Sequence, residues 1–321
     1  MSRKTKIWLT VAAALILIGG IIFGGTMMAL KWEFGKLSTV KYETNEYAID
    51  ESFKNISIIT DTADIVFAAS KDSECSVVCR EQKNMKHSFY VKGDTLVIEL
   101  TDTRKWYEYI GINFGTSEIT VYLPEVEYGT LYVKENTGDI EVPGDFSFES
   151  IDISASTGDI ENYASAAEHV KIKTSTGDIR VENISAGALD LSVSTGKVTV
   201  SDVRCEGDAL LIVSTGKSSL TNLTCQNFTS MGDTGKILLT NVYVEDTMLI
   251  DRSTGDVTFG NCDAGTISVK TDTGDVRGTL HSPKTFYTAT STGKVSVPKT
   301  SGGICEITTD TGDIKIEIAT Y

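Results

Sequence analysis

Chemistry-bearing residues are scarce in this chain of 321 residues. There are three histidines, His87, His169 and His281, far apart and at unlike places in the local pattern. Each reads as a solvent-facing side chain. No Ser/His/Asp arrangement and no nucleotide-binding loop is present. The six cysteines contain no Cys-x-x-Cys pair, which removes the usual zinc spacings. The glycine-rich nonapeptide of calcium-binding rolls is missing. Bases are also short, 29 against 44 acids, for a net charge of −15. Arg3, Lys4 and Lys6 precede the first apolar run, so the rest carries 29 − 3 = 26 bases against the 44 acids, or −18. That balance excludes the basic surface a nucleic acid requires and disfavours an anionic lipid surface. Acidity of this kind keeps an exposed protein soluble.

One long apolar run is present. Ile7 to Leu30 has no charged residue, and about 20 apolar residues span a bilayer as a helix. The three bases before it place the N-terminus in the cytoplasm by the positive-inside rule. A cleaved signal peptide would have an apolar core of only ~7–15 residues and small residues at its cut. Here the run is longer and ends in "TMMALKW", so an uncleaved anchor is expected. No lipid-accepting cysteine follows it.

What is abundant is glycine, and it is periodic. Thr-Gly places glycines at Gly138, Gly158, Gly177, Gly196, Gly216, Gly235, Gly255, Gly274, Gly293 and Gly312, with every step 19 or 20 residues. Such spacing marks one unit stacked along an axis. Seven residues before each glycine stands an apolar residue, from Leu131 and Ile151 to Phe286 and Cys305. Two after it, nine of ten are Ile or Val. Alternation at period 2 marks strands with one buried face. A third inward pair follows at seven and nine residues, as in Ile184/Ala186, Val203/Cys205, Leu223/Cys225 and Val242/Val244. The predicted fold is all-β: a parallel β-solenoid of three-faced coils of 19–20 residues, with Thr-Gly as the corner between faces one and two. Parallel crossovers are normally right-handed, but short rungs of this kind can wind the other way, and handedness stays open.

"NISIITDTADIVFAAS" is a degenerate first coil, with Ala63 in the glycine place. Residues 70–130 break the period but contain "CSVVC", "HSFYV", "TLVIEL" and "SEITVYLP", with a hairpin turn at "KGD". They read as an irregular β cap over the N-terminal end. The expected organisation is a cytoplasmic tip (1–6), a transmembrane helix (7–30), a linker (31–50), the N-terminal β section and cap (51–130) and the repeat solenoid (131–321). The last strand signal, "DIKIEIATY", has no matching cap. Its edge is either blunted by Lys315 and Glu317 or open to self-association with another chain.

The basic tip, the apolar anchor, "FGKLSTVKYETNEY", the irregular β section and the "STGD" coils together resemble the bacterial putative-adhesin family of cell-surface β-strand-repeat proteins, a domain-of-unknown-function group. The resemblance covers essentially the whole chain. It implies an envelope protein, with some relatives acting in envelope stress responses near membrane regulators. It brings no catalytic motif, so no residue inherits a role.

Candidate sites are few. Coils that never differ by more than one residue leave no room for the inserted loops of a catalytic cleft, so no enzyme is expected, and no cofactor. The residue after each corner glycine is Asp or Lys; stacked at ~4.8 Å, like charges would repel by about 0.9 kcal/mol in water, tolerable without a metal. Cys205 and Cys225 share an offset in consecutive coils, as a stacked pair that either packs as small apolar side chains or forms a disulfide. Outward positions that are polar elsewhere become apolar at Leu210, Ile212, Met231 and Leu249, the candidate partner patch. Two functions follow: a binding or adhesion surface for an envelope protein or wall polymer, or a sensor arm in an envelope-stress response acting through a membrane partner. For the second, Gly19, Gly20, Gly24 and Gly25 would let a partner helix approach.

Overall fold

The computed structural model describes residues 2–38, 40–71, 73–106, 113 and 115–319. Helix α1 (Arg3–Ala29) starts four residues before the apolar run, because the Ser2 hydroxyl accepts a hydrogen bond from the Thr5 amide at 3.2 Å and caps it. Twenty-seven residues give roughly 40 Å of helix. Its apolar window has a mean hydropathy of 2.4 and is not buried; Met27, near the end of the helix, is. It is long and apolar enough to cross a membrane.

The chain then forms β1 (Tyr42–Ile49), β2 (Asn55–Ile59), β3 (Asp64–Ala69), β4 (Cys75–Gln82), β5 (Met85–Lys92), β6 (Thr95–Asp102), β7 (Glu118–Leu123), β8 (Glu127–Thr137) and β9 (Ile140–Val142). From β8 onward one parallel stack runs in a fixed register. Leu131 faces Ile151, which faces Val170, then Leu189, Ala209, Phe228, Met248 and Ile267. None of these is more than 4% exposed. The period-2 alternation thus becomes one continuous apolar column, each large member contributing about 1.5–3 kcal/mol of burial. The third-face pairs behave alike: Ile184, Val203, Leu223 and Val242 are all buried, with Ala186, Cys205, Cys225 and Val244 beside them.

At both ends the stacking order departs from the chain order. β2 lies between β6 and β8, parallel to both, and β3 lies between β7 and β9. The first coil is therefore second in the stack, beneath a coil made later from β6 and β7. Antiparallel strands then close this end: β4 pairs with β7 and β1, and β5 pairs with β6. Residues 31–50, expected as a linker, thus include β1, which is paired along its whole length.

The C-terminal end corrects a second expectation. Gly303–Thr311 is inserted between Val257–Thr273 and Lys284–Thr292. Ile314–Ile318 is likewise held between Val276–Leu280 and the short pair Val295–Ser296. The chain's last coil is next to last in the stack, so its first-face strand is no open edge, and the expected edge strand "DIKIEIATY" is covered on its outer side at Ile314 and Lys315. The outer edge belongs to Lys284–Thr292. On the second face, only Ile316–Ile318 extends beyond its outer neighbour.

Candidate functional site

Each coil presents three corners. At the first, nine of the ten Thr-Gly glycines have φ between +139° and +159°, a conformation that L side chains rarely adopt. Gly293, in the outermost coil, is not among them. A second requirement applies to all ten. A Cβ built on Gly216 would fall on the carbonyl of Gly196, and one on Gly293 would fall on that of Gly312, far inside van der Waals contact. The corner is glycine because corners stack on one another as well as because they turn.

The aspartates after these glycines do more than face solvent. The Asp159 amide donates to the Asp139 carboxylate at 2.8 Å, the Asp178 amide to Asp159 at 2.7 Å and the Lys197 amide to Asp178 at 2.7 Å. Asp64 starts this row by accepting from the Asp139 amide at 3.1 Å. Each carboxylate caps a backbone donor of the next coil, and such charge-assisted bonds offset the repulsion along the row. The inverted end repeats the device in stack order: the Asp313 amide donates to Asp275 and the Lys294 amide to Asp313.

The second corner carries a ladder of Asn and Asp side chains. Asn183, Asp202, Asn222, Asn241 and Asn261 all have φ between +52° and +58°, a region these side chains tolerate best after glycine. The Asn222 amide donates to Asp202 at 2.7 Å, Asn241 to Asn222 at 3.0 Å and Asn261 to Asn241 at 3.0 Å. The signal was present at six residues after each glycine, where Asn or Asp recurs in five consecutive coils.

At the third corner the expected Cys205–Cys225 pair is in register, since Cys205 follows Ala186 and Cys225 precedes Val244. Both are buried free thiols. Burial pushes the Cys225 thiol up to about 12 and raises that of Cys205. They line a shallow groove of about 770 Å³ that also takes in Arg204, Tyr243 and Lys284. The Lys284 ammonium is itself buried, donating to the Ala264 carbonyl at 2.6 Å and pairing with Asp263 at 2.6 Å.

Further buried polar sites interrupt the core. In the cap, Cys79, Glu81 and His87 bring potential metal-ligand atoms within 4.8 Å of one another. His87, expected at the surface, is buried because it faces the inside of β5. Its Nδ1 lies 3.1 Å from Glu81, its amide donates to Glu81 at 2.7 Å, and its Nε2 lies 2.9 Å from the Thr60 hydroxyl. Asn45 donates to the same carboxylate at 2.9 Å. Protein groups thus meet both Glu81 oxygens and both His87 ring nitrogens. Burial lowers the His87 pKa, against the opposing pull of Glu81. Beneath the first coil, Glu135 accepts from the Ala63 amide at 2.9 Å while its other oxygen is unpartnered. Burial pushes its carboxyl up to about 8, the neighbouring Asp64, Asp139 and Asp61 adding to the shift. Arg252 is 1% exposed. Its guanidinium reaches the Val213 carbonyl at 3.3 Å and the Ser230 hydroxyl at 2.6 Å, over the space left by Gly232.

The outward apolar residues fall on the first face. Ile212 pairs in register with Met231, while Leu210 and Leu249 are separated by Thr229. Met231 is 41% and Leu249 37% exposed, whereas Leu210 and Ile212 are half-buried. Asp190, Ser192, Asp251 and Lys270 bound the group in the flanking coils.

No curated protein matches the chain. Among solved structures, a protein from Parabacteroides distasonis described as a putative lipid binding protein aligns over 87% of this chain and 98% of its own, at 15% identity and a TM-score of 0.47. A putative adhesin from Bacteroides fragilis aligns over 86% and 97%, at 15% identity and 0.37. Another from Parabacteroides merdae aligns over 86% and 96%, at 12% identity and 0.45. The family model described as Toastrack DUF4097 matches residues 53–214, from the first coil through the middle of the stack, and the chain belongs to that family.

Proposed function

We propose that the protein is a single-pass envelope protein whose solenoid, outside the membrane, is a non-enzymatic binding or adhesion surface. The orientation places residues 1–6 in the cytoplasm and 31–321 outside, from Arg3, Lys4 and Lys6 before α1. One observation supports the reading above others. A membrane-length helix precedes a capped stack of near-identical coils whose first face, polar in the flanking coils, carries the exposed apolar residues Met231 and Leu249 in neighbouring coils. An exposed apolar group on a side wall without inserted loops suits recognition of a protein or wall polymer better than a reaction.

The test has two arms. Single cysteines placed at Ser2 and at Thr224 in a cysteine-free chain would be labelled in intact cells with a membrane-impermeant maleimide; labelling at Ser2 and not at Thr224 reverses the topology. Full-length protein would then be passed over stripped envelopes. Retention that is lost in Met231→Ser/Leu249→Ser, at unchanged melting temperature, locates the surface. Equal retention by that variant refutes the patch.

A further inference from the structure

The inverted order at the C-terminal end leaves two strands, Lys284–Thr292 and the short Val295–Ser296, paired on one side only among the described residues. That coil is held by the chain at both ends, by Leu280 before it and by Gly303 after it, both within paired strands. It cannot fray as a free terminus does. It nevertheless leaves uncovered what every inner coil covers. Val295 is 45% exposed and Phe286 half-buried, while their neighbours one coil down, Ile314 and Cys305, are buried. Tyr287 stands outward at 59%. Edges like this are usually blunted by charge or proline; here Lys284 is turned inward onto Asp263, and the rest of Lys284–Thr292 is uncharged and proline-free.

Charge selects the occupant. In a domain of net −18, residues 276–305 contain Arg277, Lys284, Lys294 and Lys299 and no acid. Arg277 is paired to Asp256 and Asp275 and Lys284 to Asp263, while Lys294 and Lys299 are exposed and make no ion pair among the described residues. A row of alternating backbone donors and acceptors is completed only by another extended polypeptide. We propose that the end strand Lys284–Thr292 is a β-addition site for an extended, acidic polypeptide segment. Alternate apolar side chains of the segment would cover Phe286 and Val295, and its carboxylates would meet Lys294 and Lys299. This deepens the binding reading and rests on it for the compartment alone.

The experiment uses full-length protein in detergent micelles and three fluorescein-labelled decapeptides: alternating Val-Glu, alternating Val-Lys, and Val-Glu with two central prolines. Anisotropy should show binding of the first, at least tenfold weaker binding of the second and none of the third. Lys294→Glu/Lys299→Glu should reverse the preference between the first two. Successive amides along a strand point to opposite sides, so one of Thr288→Pro and Ala289→Pro removes an outward donor while sparing the inner ladder; that variant should melt as wild type and lose the peptide. Should both fail to fold, the charge reversal decides. Equal binding of the Val-Lys peptide, no binding of any peptide, or binding that survives the folded proline variant would overturn the proposal. A dimer in sedimentation that the charge reversal dissociates would also overturn it, assigning the edge to a second copy. Failure here with retention on envelopes through Met231 intact leaves the binding reading standing. A reversed topology removes that reading without affecting peptide binding.

Discussion

Replacing Gly216 by alanine separates the two reasons for a corner glycine. Gly216 has φ of +150°, and a Cβ there would fall on the Gly196 carbonyl. Gly93, in the cap hairpin, has φ of +68°, and a Cβ there would meet nothing within 4 Å. Gly93→Ala therefore carries backbone strain alone, about 1 kcal/mol. Gly216→Ala carries strain of about 1–3 kcal/mol plus an overlap relieved only by parting two coils, for a total of about 3–4 kcal/mol, within the range of overpacked core substitutions. Because a stack opens locally, the assay is hydrogen exchange read by mass spectrometry. The Gly216 amide donates to the Thr234 carbonyl at 2.8 Å and the Gly196 amide to Thr215 at 3.0 Å. Their exchange should accelerate by roughly two to three orders of magnitude in Gly216→Ala, with the β1–β4 pairing of the cap unaffected. Gly93→Ala should raise exchange only in β5 and β6. If Gly216→Ala costs no more than Gly93→Ala, stacked carbonyls are not what the corner avoids.

Other outcomes follow from the buried and stacked charges. Asp159→Asn keeps the acceptor for the Asp178 amide while removing one of a row of like charges; it should stabilise by about 0.5 kcal/mol at low salt and not at 0.5 M NaCl, whereas Asp159→Ala should cost about 1 kcal/mol in urea unfolding at either salt. The Glu135 carboxyl, raised from 4.5 to about 8, holds a proton in the folded state that the unfolded chain loses above 4.5. Its contribution is therefore fully present below that pH and is lost as pH rises through about 8. Relative to wild type, Glu135→Gln should gain about 3 kcal/mol between pH 5 and 7.5. His87 acts oppositely: with its pKa lowered below 6.5, stability falls as pH drops below that value, and His87→Gln should remove this acid-side loss from the urea profile. Arg252→Met should stabilise by about 1 kcal/mol, because the buried guanidinium makes no direct ion pair among the described residues, with only the Asp233 charge nearby, and its Nε is unpartnered; a loss above 2 kcal/mol would show that the Val213 and Ser230 bonds outweigh the desolvation.

The repeat alone determined most of the coil. Period 2 within a period of 19 or 20 names the inward residues, and Leu131 through Ile267 are buried as that arithmetic requires. The register of Cys205 with Cys225 and of Ile212 with Met231 follows from equal offsets. Tertiary structure decided which coil lies on which. Every coil offers its neighbour the same backbone edge, so nothing in the periodicity distinguishes Gly274 under Gly293 from Gly274 under Gly312, and in the structure Gly312 stacks on Gly274. Non-local packing also decided the cap. Glu81 and His87 are six apart and become a buried pair only when β4 and β5 close over Thr60. The open end of the solenoid likewise appears only in the stack, because exposure of Lys284–Thr292 depends on where Gly303–Thr311 inserts rather than on its own residues.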